Sequence, residues 1–153
     1  MVEVRNERRA GVAIVTLDRP VANVLAPSLR SELSDALAAA MRDDSVEAIV
    51  LTSAGADFSS GVDMAEYDTP LQSPWISDLC LQIENAPKPV VAALQGAAFG
   101  GGFELALAAH GRIAAQDARV ALPEVKLGLS PGGGATPPTM TSPTSPSAWH
   151  PTI

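Results

Sequence analysis

The sequence predicts an α/β fold built on a parallel β-sheet. Short runs of apolar and β-branched residues alternate with longer segments whose apolar residues recur every three or four positions. Strand, loop and helix in repeated succession build a parallel sheet with right-handed crossovers. The chain has 153 residues, of which 46% are hydrophobic. This is enough to bury one modest core, so we expect one domain or a part of a larger one.

The first predicted elements are a hairpin and a helix. Val2–Val4 and Val12–Leu17 are rich in β-branched residues and are predicted to pair as strands. Pro27 suits the first turn of a helix, and Asp43 and Asp44 are expected to end it. An apolar stripe at helical spacing follows the proline, formed by Leu29, Leu33, Leu37 and Met41. The stripe predicts an amphipathic helix.

The next elements repeat the order of strand and helix. Ala48–Thr52 and Pro89–Leu94 are continuous apolar runs, typical of strands that are buried on both faces of a parallel sheet. Between them, Ser73 and Pro74 are expected to cap and to begin a second helix, which Pro87 ends. The apolar face of this helix is formed by Ile76, Leu79 and Ile83. We expect a single core that includes Leu29, Leu33, Leu37, Ile49, Leu51, Val90, Ala92 and Leu105.

Two loops follow the predicted parallel strands. Ser53–Val62 comes after the first of them, and the glycine-rich segment Gln95–Gly102 comes after the second. A further helix and a strand at Arg112–Ala115 complete the pattern. Because ligands of parallel α/β sheets usually bind beyond the carboxyl ends of the strands, these two loops are the expected binding region.

Composition limits the classes of function. The net charge of -7 and the sequence pI of about 4.6 argue against a nucleic-acid binder, which normally carries a basic face. The single cysteine, Cys80, cannot form an intrachain disulfide and is expected to be a small buried residue. Charges spread through the first 20 residues resemble neither a signal peptide nor a membrane anchor. We therefore expect a soluble cytoplasmic protein without a membrane partner.

The glycine-rich loops do not match phosphate-binding motifs. Neither Gly61 nor Gly102 is followed by the Lys and Ser or Thr of a Walker loop, and "GAAFGGG" lacks the glycine spacing of the dinucleotide fingerprint. Glycines at a helix start instead let backbone N–H groups approach a ligand closely and stabilise developing negative charge. The sequence predicts such an oxyanion site, with a second N–H group from Gly61–Val62. Tight packing of helix against sheet is the alternative explanation of the glycines.

Two carboxylates accompany the glycines. Glu104 is expected in the first turn of the third helix, where an acid could also simply complement the helix dipole. Glu124 lies in the apolar stretch "LPEVKLG" and is expected near the ends of the next strands. Two carboxyl groups around one pocket suit acid and base catalysis.

Three segments together resemble the crotonase, or enoyl-CoA hydratase/isomerase, superfamily. They are "FSSGVDMAEY", "PKPVVAALQGAAFGGGFELALAAHGRIAA" and "ALPEVKLGLSPGGGAT", and the resemblance covers roughly residues 10 to 136. It implies a crotonase-like spiral fold of ββα repeats. The segments look closest to the hydratase part of bifunctional β-oxidation enzymes, which join it to a 3-hydroxyacyl-CoA dehydrogenase.

The resemblance implies roles for individual residues. The N–H groups of Val62 and Gly101 correspond to those that bind the thioester oxygen of an acyl-CoA. Glu104 corresponds to the acid that activates water, and Glu124 to the acid that exchanges a proton at Cα. The segment that holds coenzyme A and the substrate is formed by Ser60, Val62, Asp63, Met64, Ala65, Gly100 and Gly101. No metal or redox cofactor is implied, because coenzyme A is part of the substrate.

The end of the sequence departs from the family pattern. After Lys126 there is no Asp, Glu, Lys or Arg, and the Pro/Ser/Thr-rich residues 137–153 are expected to be a disordered tail. A linker and a loss of the coding frame after Thr136 both explain such a tail. In the family this region continues into helices that close the acyl pocket and build a trimer. The resemblance therefore favours frame loss or truncation, with residues 1–136 as the N-terminal part of the domain.

Three functions follow from this pattern. The two acids favour hydration of a trans-2-enoyl-CoA in fatty-acid β-oxidation. An enoyl-CoA isomerase of the same fold usually needs one acid and is the first alternative. A truncated chain that binds acyl-CoA or another subunit without turnover is the second. The family also suggests a homotrimer or fusion to a dehydrogenase domain.

Overall fold

The computed structural model describes residues 2–63, 65–66, 70 and 72–127. Met64 and the predicted tail at 137–153 lie outside these residues. In chain order the elements are β1 (Val4–Arg9), β2 (Val12–Leu17), α1 (Pro27–Arg42), β3 (Ala48–Ser53), α2 (Ile76–Glu84), β4 (Val90–Leu94), β5 (Ala97–Phe99), α3 (Gly101–Ala108), β6 (Gly111–Ala114) and β7 (Arg119–Ala121). A 3-10 helix, Pro123–Leu127, follows β7.

Five strands form the main sheet in the order β1-β2-β3-β4-β6. The strands β2, β3, β4 and β6 run parallel, as predicted, and β1 is antiparallel to β2. The structure has a mixed α/β architecture in which helices pack on the sheet. None of the described helices has the length and apolar character needed to cross a membrane.

The hairpin is longer than predicted at its first strand. The strand β1 runs from Val4 to Arg9 rather than over Val2–Val4, and the turn at Ala10 and Gly11 connects it to β2. Only Val4 of this strand is buried, and its other side chains are exposed. An exposed edge strand made of polar residues carries no apolar alternation, which is why the sequence pattern missed it.

The prediction for α1 is confirmed. Pro27 occupies its first turn, and the N–H group of Asp43 donates to the carbonyl oxygen of Ala39 at the end. Leu29, Leu33 and Leu37 are fully buried, whereas Met41 at the end of the stripe is half-buried. The eight predicted core residues all lie in one cluster: Leu29, Leu33, Leu37, Ile49, Leu51, Val90, Ala92 and Leu105.

The expectation that the central strands are buried on both faces is wrong for the described residues. In β3, Ile49 and Leu51 are fully buried, whereas Val50 and Thr52 on the opposite face are half-buried. The strand β4 shows the same alternation. The continuous apolar runs of β3 and β4 therefore correspond to one buried face and one half-buried face of the sheet.

The second helix begins later than predicted. Trp75, not Ser73, is its N-cap residue, and α2 starts at Ile76. The carboxylate of Asp78 accepts a hydrogen bond of 2.8 Å from the N–H group of Trp75. A first-turn acid therefore stabilises this helix start in place of the predicted serine cap.

The glycine-rich segment is not a loop throughout. Ala97–Phe99 forms β5, which pairs in parallel with β7 as a small second sheet. A strand of three residues is too short to show an apolar period, so no sequence pattern predicts it. The last strand of the main sheet, β6, begins and ends one residue earlier than the predicted Arg112–Ala115.

Candidate active site

The two predicted loops join at the carboxyl ends of the strands. The N–H group of Phe58 donates to the carbonyl oxygen of Gln95 at 2.9 Å, and that of Ser59 donates to Ala97 at 3.0 Å. In return, the N–H group of Phe99 donates to Ser59 at 2.9 Å. Backbone hydrogen bonds thus make the two loops one continuous layer, called here the loop layer (residues 58–62 and 95–102).

The loop layer brings the two predicted oxyanion residues together. Gly61 has φ of +98°, and a Cβ at this position would lie 2.9 Å from the carbonyl oxygen of Phe99 and 3.6 Å from the nitrogen of Gly101. A Cβ at Gly101 would lie 3.1 Å from Cγ2 of Val62. A side chain at Gly61 would push the two backbones apart, so only glycine fits this arrangement.

The glycine triplet begins α3. Gly100 is the N-cap residue, with φ of +50°, and its carbonyl oxygen accepts the first helical hydrogen bond from the N–H group of Glu104. The first N–H groups of a helix have no acceptor within it and point outward with the positive end of the dipole. The N–H group of Gly101 belongs to this set, which makes it suited to hold a negatively charged oxygen.

Tight packing, the alternative explanation of the glycines, holds for Gly102. A Cβ there would lie 2.6 Å from Cβ of Ser59 and 2.9 Å from its carbonyl oxygen. The triplet therefore combines two requirements. Gly102 allows α3 to touch the first loop, while Gly100 and Gly101 shape the start of the helix.

Glu104 is a buried residue of α3. Its exposed fraction is 3%, and α3 packs against α2. Burial, followed by the nearby carboxylates of Glu104 and Glu84, raises the pKa of the Cys80 thiol on α2 to about 12. The carboxylate of Glu104 is therefore close enough to the Cys80 thiol to interact with it electrostatically.

Glu124 reaches the same helix start from the other side. The N–H group of Gly100 donates to the carbonyl oxygen of Ala121 at 2.9 Å, which places the 3-10 helix beside the glycines. A Cβ at Gly100 would lie 2.5 Å from Oε1 of Glu124. Within the described part of the chain, Oε2 of Glu124 is buried without a hydrogen-bond partner. Such an oxygen is rare in proteins and calls for an explanation.

The remaining predicted binding residues lie beside Val62. Ser60 is exposed, and its N–H group donates to the carbonyl oxygen of Ala22 at 2.9 Å. The carboxylate of the half-buried Asp63 accepts a hydrogen bond of 3.0 Å from the N–H group of Ala65, which is exposed. The segment thus leaves parts of its surface open to a ligand next to the oxyanion residues.

Two polar side chains that the sequence analysis missed hold the first loop. The side-chain amide of Asn23 donates to the carbonyl oxygens of Ala54 and Asp57, each at 3.0 Å. The hydroxyl group of Ser59 donates to Asn23 and accepts from the N–H group of Gly61 at 3.1 Å. Both side chains are buried. Asn23 follows "DRPVA" in an apparently ordinary turn, so no sequence pattern indicated this role.

A buried ion pair also escaped the sequence analysis. Arg30 of α1 is fully buried and forms a two-pronged contact with the carboxylate of Glu66 at 2.8 and 2.9 Å. The signal was present, because Arg30 is spaced three and seven residues from Leu33 and Leu37 and therefore lies near the apolar face of the helix. Among the described residues, no group of three or more His, Cys, Asp or Glu side chains could hold a metal ion.

Known proteins resemble the chain over most of its length. Residues 7–141 match the enoyl-CoA hydratase/isomerase family. The "Peroxisomal bifunctional enzyme" of Danio rerio is 43% identical over 128 residues, which are 84% of this chain and 18% of that protein. The "Probable enoyl-CoA hydratase" of Bacillus subtilis (strain 168) is 42% identical over 132 residues, which are 82% of this chain and 51% of that protein.

Solved structures agree with this match. A "putative enoyl CoA hydratase/isomerase (crotonase)" from Legionella pneumophila superposes with a TM-score of 0.80 at 34% identity, covering 85% of this chain and 54% of that one. For an enoyl-CoA hydratase from Thermoplasma volcanium GSS1 the TM-score is 0.77 at 32% identity, with 85% and 55% covered. The chain spans about half the length of these structures. These similarities agree with the two joined loops and the glycine-led helix. The chain has the crotonase fold and belongs to the enoyl-CoA hydratase/isomerase family.

Proposed function

We propose that this chain carries the oxyanion site and the two acids of an enoyl-CoA hydratase that acts in fatty-acid β-oxidation. The observation that carries the proposal is that the carboxylate of Glu124 lies against Gly100. This glycine begins the helix that also holds Glu104. The buried Oε2 of Glu124 supports it, because a substrate atom could be the partner that this oxygen needs.

In the proposed reaction, the N–H groups of Val62 and Gly101 donate hydrogen bonds to the thioester oxygen of a trans-2-enoyl-CoA. Negative charge grows on this oxygen as the enolate forms, and preorganised backbone donors stabilise it without rearranging. A single such donor typically contributes about 2.7–4 kcal/mol to the transition state. The close approach at Gly61 and Gly101 fixes these donors relative to each other.

The two acids supply the proton transfers that the amides cannot. Glu104 takes a proton from water while the water oxygen bonds to Cβ, and Glu124 delivers a proton to Cα. The elements of water are thereby added across the double bond, and protons balance because one acid gains what the other gives up. Ser60, Asp63, Met64, Ala65 and Gly100 complete the proposed surface for coenzyme A and the acyl thioester. Coenzyme A enters only as part of the substrate.

The assembly and location of the protein are also proposals. We propose that residues 1–136 form the N-terminal part of a crotonase-like domain that acts as a trimer or beside a dehydrogenase domain. The name of the bifunctional relative from Danio rerio supports the second arrangement. A cytoplasmic location stays a prediction, since that relative is named as peroxisomal.

Turnover of crotonyl-CoA tests the proposal. It is measured for the 153-residue chain and for a chimera in which the residues after Thr136 are replaced by the corresponding part of the Bacillus subtilis relative. Hydration removes the conjugated double bond and its absorbance. We expect Glu104→Gln and Glu124→Gln each to lower kcat of the chimera on the order of a hundredfold or more, with little change in coenzyme A affinity.

Glu47→Gln is the matched control, because it makes the same chemical change at an exposed residue before the amino end of β3. Near-parental hydration in either Gln variant, in a correctly folded protein, would refute the paired role. Conversion of 3-enoyl-CoA without hydration would identify an isomerase. Binding of coenzyme A without turnover in the chimera would favour the non-catalytic alternative.

A further inference from the structure

Arg30 uses every hydrogen-bond donor that an arginine has. Its guanidinium group carries five N–H donors in a rigid plane. Two of them form the pair with Glu66. The other three donate to the carbonyl oxygens of Pro74 at 2.7 Å, Leu25 at 2.7 Å and Gln72 at 2.8 Å. Its Cζ atom also lies 4.7 Å from the ring centre of Trp75.

Two of these partners lead to the first proposed oxyanion residue. Leu25 accepts from Arg30, and the N–H group of Leu25 donates to the carbonyl oxygen of Gly61 at 2.9 Å, next to Val62. Glu66 lies shortly after Val62 in the chain, and its N–H group donates to Asp63 at 3.0 Å. The guanidinium group therefore holds the segment around Val62 from both of its ends.

The other partners lead to the second oxyanion residue. Gln72 and Pro74 accept from Arg30, and Trp75, which it stacks on, is the N-cap residue of α2. Ile76 follows as the first residue of that helix. A Cβ at Gly101 would lie 3.2 Å from Cγ1 of Ile76, so the start of α2 presses directly on the start of α3.

We infer that Arg30 is a positioning residue that fixes the N–H groups of Val62 and Gly101 relative to each other. This inference rests on the proposed function of those two groups. Oxyanion donors must be held within about 0.5 Å of the productive geometry to be effective. One rigid, buried plane that is bonded to both flanking segments meets this need. A flexible lysine ammonium group, with three donors, cannot make the five contacts.

The amide signals of Val62 and Gly101 in NMR spectra of the 153-residue chain test the inference without ligand. In Arg30→Lys, and in Arg30→Met if it folds, we expect both signals to shift, and the hydrogen exchange of the Leu25 N–H group, which is bonded to Gly61, to accelerate at least tenfold. The amides of Ile49 and Leu51 in β3 should stay unchanged. Arg5→Met is the matched control, because Arg5 forms an exposed ion pair with Asp18. Unchanged site amides in folded Arg30→Lys would overturn the inference.

The double variant Arg30→Met with Glu66→Leu separates positioning from stability. It removes both charges of the buried pair, and such replacements are often neutral for stability. It does not restore the hydrogen bonds to Leu25, Gln72 and Pro74. We expect the double variant to be at least as stable as Arg30→Met, with the site amides still displaced. Recovery of both amide signals together with stability would show that Arg30 is merely structural.

Turnover adds a readout that depends on the proposed function. In the active chimera, Arg30→Lys should lower kcat about tenfold or more with a smaller change in KM, because the hydrogen bonds to the thioester oxygen strengthen in the transition state. An unchanged kcat would contradict the inference. If the parental chimera itself shows no hydration, the proposed function fails, while the amide signals of the free chain still decide the role of Arg30.

Discussion

The core and the loop layer of this protein are held together by different physical effects. In the core, Leu33, Leu37 and Ile49 are fully buried among other apolar side chains. The hydrophobic effect that stabilises this packing has no preferred direction. In the loop layer, backbone hydrogen bonds join Ser59 to Ala97 and Phe99, and the glycines lie where there is no room for a side chain. Hydrogen bonds are directional and weaken steeply when they bend.

This difference separates what a substitution changes in each region. A smaller side chain in the core removes contacts and mainly lowers the free energy of unfolding. An added atom in the loop layer displaces backbone groups whose positions define the proposed oxyanion site. The core should therefore determine stability, whereas the loop layer should determine the geometry available to a ligand.

The largest effect on stability is expected in the core. Leu33→Ala should lower the free energy of unfolding by about 2–5 kcal/mol, because it removes buried contacts and leaves a cavity. Urea unfolding followed by circular dichroism measures the loss. The exposed Ser31→Ala on the same helix is the control and should change little. Equal losses in the two variants would remove the distinction between core and surface of α1.

Gly102→Ala should have the next largest effect. The added Cβ would meet Ser59 at 2.6 Å, and overpacking of this kind typically costs about 1–3 kcal/mol. We expect the amide signals of Val62 and Gly101 to shift as well. Gly111→Ala is the matched control, since its Cβ would meet Cγ2 of Val91 at an ordinary 3.5 Å. A Gly102→Ala protein with parental stability and parental site signals would show that the layer tolerates an added atom.

Because the thiol of Cys80 is buried, we expect a smaller and pH-dependent contribution of this group to the free energy of unfolding. Its pKa is raised from 9.0 to about 12, so between these values the unfolded chain loses a proton that the folded chain keeps. Stability from this group is complete below pH 9 and falls as the pH rises, by about 1.4 kcal/mol per pH unit at most. Unfolding of the parent and of Cys80→Ala at pH 8, 9 and 10 measures the difference. Parallel losses in the two proteins would contradict the prediction.

The smallest effect is expected on the outer hairpin, where neither burial nor close backbone contact operates. Arg5 and Asp18 lie 2.8 Å apart, but their side chains are 50% and 38% exposed. Arg5→Ala should therefore lower the free energy of unfolding by less than about 1 kcal/mol. Thermal unfolding in low and high salt checks this value and its screening. A loss comparable to that of Leu33→Ala would mean that exposure does not weaken this pair.

Elements with a local physical signal are predicted from the sequence alone. Apolar periods placed α1, the strands β2, β3 and β4, and the shared core, because a helix or strand that packs on one face must repeat its apolar residues at its own period. The motif order also identified the family and indicated the residues of the candidate site. The exposed β1 and the short β5 carry no such period, so β1 was predicted with the wrong bounds and β5 was missed.

How distant segments meet is visible only in the folded chain. The contact of Gly61 with Gly101, the position of Glu124 above Gly100, and the five hydrogen bonds of Arg30 join segments far apart in the chain. Most of these contacts involve backbone atoms, which are the same in every residue and leave no mark in the sequence. The spacing of Arg30 places it near the apolar face of α1, but its full burial and its partners depend on which distant segments fold over that helix.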